Sequence, residues 1–167
     1  NNSVNQKNLI FIFNICDFLK IDLKKIIPTL NKFKGLRFRN EIVINGKKIK
    51  VINDSKSTSF SSTQELIDTK KKTFWILGGL PKKGDKFTLS KKDCFNLRAY
   101  IFGKNAKFFI KRLKNKVHYQ KFNNMISAIK KIKIDFKKEQ TSNEKIILFS
   151  PASASFDDFK NFEDRGK

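Results

Sequence analysis

Lys145-Ile146-Ile147-Leu148-Phe149, followed by Ser150-Pro151-Ala152-Ser153-Ala154-Ser155-Phe156-Asp157-Asp158-Phe159-Lys160-Asn161-Phe162-Glu163-Asp164-Arg165-Gly166, is the stretch on which the fold turns. The short apolar run bounded by a lysine and a serine reads as a buried strand. It runs into a turn of small residues. Ser155 is placed to cap a helix from Phe156 to Arg165, with Asp157 and Asp158 in the first turn where the helix dipole favours acids. Phe156, Phe159 and Phe162 recur at the spacing of that helix's core stripe. A strand feeding a tight turn and a helix is one step of an α/β fold.

The same step repeats upstream. Thr73 to Leu77 is a buried strand ending at Gly78-Gly79, and Leu97 to Phe102 is another, ending at Gly103 and followed by a helix over Asn105 to Leu113. A short strand at Lys116 to Tyr119 precedes a helix over Asn123 to Ile132. Nearer the start, Glu41 to Ile44 and Lys48 to Ile52 pair across Asn45-Gly46 as a hairpin, and Ser61 to Lys71 has helical spacing. Strands alternating with helices predict a Rossmann-like, mostly parallel sheet with flanking helices and right-handed crossovers. Before it stand two helices. Asn8 to Lys20 is apolar on nearly every side, which predicts burial all round. Asp22 then caps an amphipathic helix to about Phe33, with Ile26, Ile27 and Leu30 inward. Neither could cover the other, so their partner is expected outside this chain. The division falls near Gly35, giving segments 1–35 and 36–167.

Composition bounds the function. The chain has 167 residues, 39% hydrophobic and 13% aromatic, which are globular values. A net charge of +22 could serve nucleic acid or an anionic membrane. Lys, Asn, Ile and Phe are abundant together, however, as in a protein from an AT-rich genome, and Lys outweighs the Arg that base readout prefers. A solvated surface is the better reading, with no nucleic-acid or membrane partner. Cys16 and Cys94 match no metal or redox spacing, which points to a reducing, cytoplasmic setting. The densest apolar run, Leu9 to Phe13, is cut by Asn14 and Asp17, far short of a membrane span. No Ser-His-Asp or Cys-His set is available, and His118, the single histidine, reads as structural.

Three polar clusters fall at the carboxyl ends of predicted strands, where ligands gather in open α/β sheets. Asn53-Asp54-Ser55-Lys56-Ser57-Thr58-Ser59 offers an acid, a lysine and hydroxyls before a helix. That set suits an anion and equally suits a plain capping loop. Leu77-Gly78-Gly79-Leu80-Pro81-Lys82 permits close backbone approach to a ligand, with Lys82 supplying charge. It lacks the Gly-Lys-Ser/Thr ending of a Walker A loop, and by itself a glycine turn is the simpler reading. The third cluster is the Ser150–Gly166 run.

Taken together, Asn-Asp-Ser-Lys-x-Thr (Asn53 to Thr58), the Leu-Gly-Gly loop with its downstream Lys (Leu77 to Lys82) and Ser-Pro-Ala-x-Ala-Ser-x-Asp-x-Phe-x-x-Phe-Glu-x-Arg-Gly (Ser150 to Gly166) resemble the C-terminal domain of the Mur ligases. The wording is that of the branch that adds D-glutamate. Asn5 and Asn8 resemble the Asn-x-x-Asn of a late helix in the family's central ATPase domain, and Leu36 to Glu41 its interdomain hinge. Val4, Arg37-Phe38, Ser59 and Ser153 depart from the usual His, Pro-His, Asn and Cys.

The resemblance implies an ATP-dependent amide ligase of peptidoglycan synthesis, working through an acyl-phosphate as a cytoplasmic monomer. Its substrates would be ATP, UDP-N-acetylmuramoyl-L-alanine and D-glutamate. On that basis segment 1–35 ends the central ATP-binding domain and 36–167 binds D-glutamate. Lys56 is the catalytic candidate. Thr58, Lys82, Ser155 and Phe162 would hold D-glutamate, and Asn5, Asn8, Arg39 and Asp54 the nucleotide. The Mg²⁺ ligands and the phosphate loop would lie outside this chain, leaving it inert alone. The rival reading is a non-catalytic basic binding module on a ligase-like fold.

Overall fold

The structure, a computed structural model, describes residues 3–139 and 143–167, with the side chains of α1 described from Asn8 onward. The chain divides into two compact units, Asn1–Gly35 and Leu36–Lys167.

The first unit holds α1 (Ser3–Phe18) and α2 (Leu23–Lys32). Asp22 caps α2, its carboxylate accepting from the Lys24 N–H at 2.9 Å. Within this chain α1 is not buried on every side. Ile10, Phe11 and Phe18 are 61%, 69% and 85% exposed, and no residue of α2 is buried. Two short helices have too little surface to cover one another's apolar faces.

The second unit contains β1 (Glu41–Asn45), β2 (Ile49–Asn53), α3 (Phe60–Gln64), β3 (Lys72–Gly78), β4 (Leu97–Phe102), α4 (Ala106–Leu113), β5 (His118–Phe122), α5 (Met125–Lys138), β6 (Lys145–Phe149) and α6 (Phe162–Gly166). The six strands form one sheet in the order β1-β2-β6-β3-β4-β5, parallel throughout except for β1. This is the mostly parallel α/β architecture that the sequence implied. Alternation along each strand builds two cores. Trp75, Leu77, Ala99 and Ile101 face one side with Phe60, Phe109 and Leu113, while Phe74, Ile76, Tyr100 and Phe102 face the other with Ala128 and Ile132 of α5. The central strand β3 is buried from Thr73 through Gly78, as a strand covered on both faces must be.

Several boundaries differ from the sequence reading. The helix expected from Phe156 is confined to α6, and its cap is not the predicted Ser155 but Asn161, whose side chain accepts from the Asp164 N–H at 2.7 Å. Asn161 is extended at φ −161°, so the helix begins only after it. Helix α5 runs beyond Ile132 to Lys138. Its end is held by Lys145, whose ammonium donates to the carbonyls of Phe136 and Glu139 at 3.1 and 2.8 Å. Among the described residues no helix is long and apolar enough to cross a membrane.

The strand order decides where the site lies. β2, β6 and β3 are neighbours, and each runs into one of the three polar clusters. The clusters are therefore adjacent at one edge of the sheet.

Candidate functional site

The loop after β6 is wedged between the loops after β2 and β3. Backbone hydrogen bonds fasten it on both sides: Asp54 N–H to Phe149 O (2.7 Å) and Ser153 N–H to Ser57 O (3.3 Å) toward β2, Gly78 N–H to Pro151 O (3.2 Å) toward β3. Leu80 and Ala154 then exchange both bonds, at 3.0 and 2.9 Å. Gly78 and Gly79 allow this approach. They sit at φ +152° and +127°, and a Cβ would collide with Phe102 at the first and with Ser153 and Ala154 at the second. The Leu-Gly-Gly signal thus serves close packing of loop on loop.

Beneath the loops lies a chain of buried hydroxyls. The Ser150 hydroxyl donates to Asp54 Oδ2 at 2.9 Å and lies 2.8 Å from the Thr63 hydroxyl, which is 2.7 Å from that of Ser57. Trp75 Nε1 donates to Ser150 O at 2.7 Å. Asp54 is buried, with its other oxygen accepting from the Asn40 N–H at 3.0 Å. Burial raises its pKa above the usual 3.8, against the lowering pull of Ser150, the Asn40 N–H and the charge of Arg39.

Arg165 joins all three clusters. It is 2% exposed, yet its guanidinium donates only to neutral oxygens: Ser55 O and Oγ (2.7 and 3.3 Å), Ser153 O and Oγ (2.9 and 3.3 Å) and Ala154 O (3.1 Å). A Cβ on Gly79 would lie 3.0 Å from its Nη1. Burial draws its pKa down to about 10.

The candidate residues fall into four groups. Lys56 and Phe162 meet, the ammonium 3.9 Å from the ring centroid, and the Ser55 hydroxyl donates to Phe162 O at 2.7 Å. Phe162 opens α6, where the leading N–H groups have no intrahelical partner. Thr58 and Lys82 are exposed and Ser155 is buried, and none of the three side chains has a protein partner among the described residues. Arg39 is exposed and acts on Asp54, whose two oxygens are both engaged by protein donors. Asn8 is exposed on α1, and the side chain of Asn5 lies outside the described residues. His118 opens β5, exposed to solvent.

The sequence reading assigned no role to Ser55, Ser150, Thr63 or Arg165. Arg165 stood in the quoted motif, but a fully buried arginine cannot be told from a surface one by local spacing. Among the described residues no group of three or more His, Cys, Asp or Glu is placed to hold a metal ion.

The fold is that of a mostly parallel α/β domain whose adjacent carboxyl-edge loops carry cationic and hydroxyl donors that are free among the described residues. No protein-family profile matches the chain, but curated relatives do. It is 35% identical over 164 residues to a UDP-N-acetylmuramoylalanine–D-glutamate ligase of Wolbachia sp. subsp. Brugia malayi and 36% identical to that of Wolbachia pipientis wMel. It is 34% identical over 167 residues to that of Francisella philomiragia subsp. philomiragia. Each match covers 98% of this chain but only 32%, 32% and 39% of the relative, so the chain spans about a third of the length of these proteins. The chain is a homologue of the Mur ligases, matched to their C-terminal part, and the relatives that match it carry the name of the D-glutamate-adding ligase.

Proposed function

We propose that this chain is the D-glutamate-binding part of an ATP-dependent ligase that joins D-glutamate to UDP-N-acetylmuramoyl-L-alanine in the cytoplasm. The observation that carries the reading is the convergence of the three loops, with the side chains of Lys82, Thr58 and Ser155 left without partners among the described residues. D-glutamate presents two carboxylates, and a lysine with hydroxyls is the donor set that such a dicarboxylate requires. The names of the relatives support the same assignment.

In the reaction so proposed, the terminal phosphoryl group of ATP passes to the alanyl carboxylate, forming an acyl-phosphate and ADP. The amine of D-glutamate attacks that carbonyl, phosphate leaves, the amine loses a proton and an amide remains. Catalysis of this kind rests on positioning and charge neutralisation. Lys56 is a cation held beside the loop junction by Phe162, suited to phosphate oxygens, and exposed Arg39 suits the nucleotide phosphates. Asp54, with Asn5 and Asn8, would complete the nucleotide contacts. Mg²⁺ would neutralise the phosphates. Residues 1–35 would then be the closing helices of the ATP-binding domain.

Lys82→Met in the intact enzyme tests the reading. It keeps the aliphatic stem and removes one charge-assisted hydrogen bond, so the KM for D-glutamate should rise about 10- to 100-fold. KM for ATP and for the UDP-linked substrate should stay within about twofold, and Lys83→Met should change little. Equal weakening of all three substrates by both variants would refute the assignment.

A further inference from the structure

We infer that Arg165 is a positioning and specificity residue whose buried charge, without an ion-pair partner among the described residues, lets the loop junction accept the second carboxylate of a dicarboxylate amino acid. The inference rests on the D-glutamate reading and goes beyond it by naming the source of the charge selection.

A buried guanidinium is costly unless its charge is compensated. Here all five hydrogen bonds end on carbonyl and hydroxyl oxygens, and no described carboxylate forms an ion pair with it. The acid that bears on it electrostatically is Asp157, beyond ion-pair distance. The positive charge is satisfied in hydrogen bonds, and Asp157, whose buried Oδ2 has no hydrogen-bond partner, offsets it only from a distance.

Placement decides what that charge acts on. Arg165 holds Ser55 and Ala154, the residues immediately before Lys56 and Ser155, and lies against Gly79 of the Lys82 loop. By tying down the carbonyls of Ser55, Ser153 and Ala154 it also keeps their negative ends turned inward, away from an arriving anion. The exposed cations Lys82 and Lys83 are screened by salt, whereas a buried charge is screened far less. At a distance of about 10 Å and an effective dielectric of about 20, one such charge alters the affinity for an added negative charge about tenfold.

The test titrates the 167-residue chain with D-glutamate, L-glutamate and D-glutamine, following amide chemical shifts, for the unsubstituted chain, Arg165→Lys and Arg165→Met, with a thermal melt of each. D-glutamine keeps the shape and lacks one carboxylate charge. The ratio of D-glutamate to D-glutamine affinity should fall about tenfold in Arg165→Met. Arg165→Lys, which cannot reproduce five bonds, should weaken both ligands while keeping the ratio within about twofold. A purely structural arginine would lower both affinities and leave the ratio intact in Arg165→Met, and that result overturns the inference. So does an Arg165→Lys that folds and loses the ratio completely. Should Arg165→Met not fold, the unsubstituted chain still decides: discrimination carried by a buried charge survives from about 0.05 to about 0.5 M salt, and its disappearance there overturns the inference. A chain that binds D-glutamate no better than L-glutamate or D-glutamine removes the functional reading and this inference with it. Retained discrimination with an unchanged ratio in Arg165→Met removes the inference alone.

Discussion

Single buried polar residues set the character of this site, and Asp54 shows how. Burial disfavours its charged form, so its pKa in the folded chain lies above 3.8. The folded state therefore keeps the proton to a higher pH than the unfolded chain does. Stability from this group is present at low pH and is lost as pH rises from 3.8 through the folded pKa. At neutral pH Asp54 is a cost, partly offset by the Asn40 N–H and the Ser150 hydroxyl. Asparagine can accept from Asn40 with its carbonyl and meet Ser150 with its amide. Asp54→Asn should therefore melt at or above the temperature of the unsubstituted chain at pH 7. That advantage should shrink as pH falls toward 3.8. A variant that loses most stability at neutral pH would mean that the ionised carboxylate stabilises the fold.

At the scale of elements, the strands were legible because alternation and buried apolar runs leave little freedom in assigning them. The carboxyl-end clusters were legible for the same reason, since each follows directly on a strand. Two things were not. The chain carries two capping signals in succession, Ser155 before Asp157-Asp158 and Asn161 before Glu163-Asp164, and sequence alone favours the longer helix. The structure chooses the second, because residues around Ser155 are committed to the Leu80–Ala154 pairing and to Arg165. Likewise the apolar run of α1 predicts burial, yet burial depends on surfaces that the run itself does not encode. Helix α6 is only five residues long and presents both Phe162 and Arg165, so its start matters more than its length. Asn161→Ala removes the cap bond to Asp164 and should destabilise the chain by about 1 kcal/mol in urea unfolding. Ser155→Ala should cost much less, because no described residue hydrogen-bonds its hydroxyl. The opposite order would restore Ser155 as the structural cap and weaken its assignment to a ligand.

For the whole molecule, the division into Asn1–Gly35 and Leu36–Lys167 has an energetic counterpart. Both hydrophobic clusters are built wholly from residues between Ile52 and Phe159, whereas in the first unit Cys16 is the single described hydrophobic residue that is buried. The second unit also keeps its own seam. Phe38, 5% exposed at φ +62°, lies against Gly166 so closely that a Cβ there would strike its ring, and Asn53 donates to Gly166 O at 2.7 Å. A cut after Gly35 leaves these contacts intact. Residues Leu36–Lys167 expressed alone should therefore melt in one cooperative transition within a few degrees of the full chain, as expected when few buried contacts are removed. The larger effect should be on association. Phe11, Phe18 and Phe33 are 69%, 85% and 64% exposed, and Ile10 and Leu19 add to the same unit. Exposed large apolar side chains in this number favour self-association until another segment covers them. Sedimentation velocity should show concentration-dependent species for the full chain and a single monomeric species for Leu36–Lys167, whose net charge remains strongly positive. A truncated chain that unfolds or aggregates more readily than the full one would show that the first unit completes the core of the second.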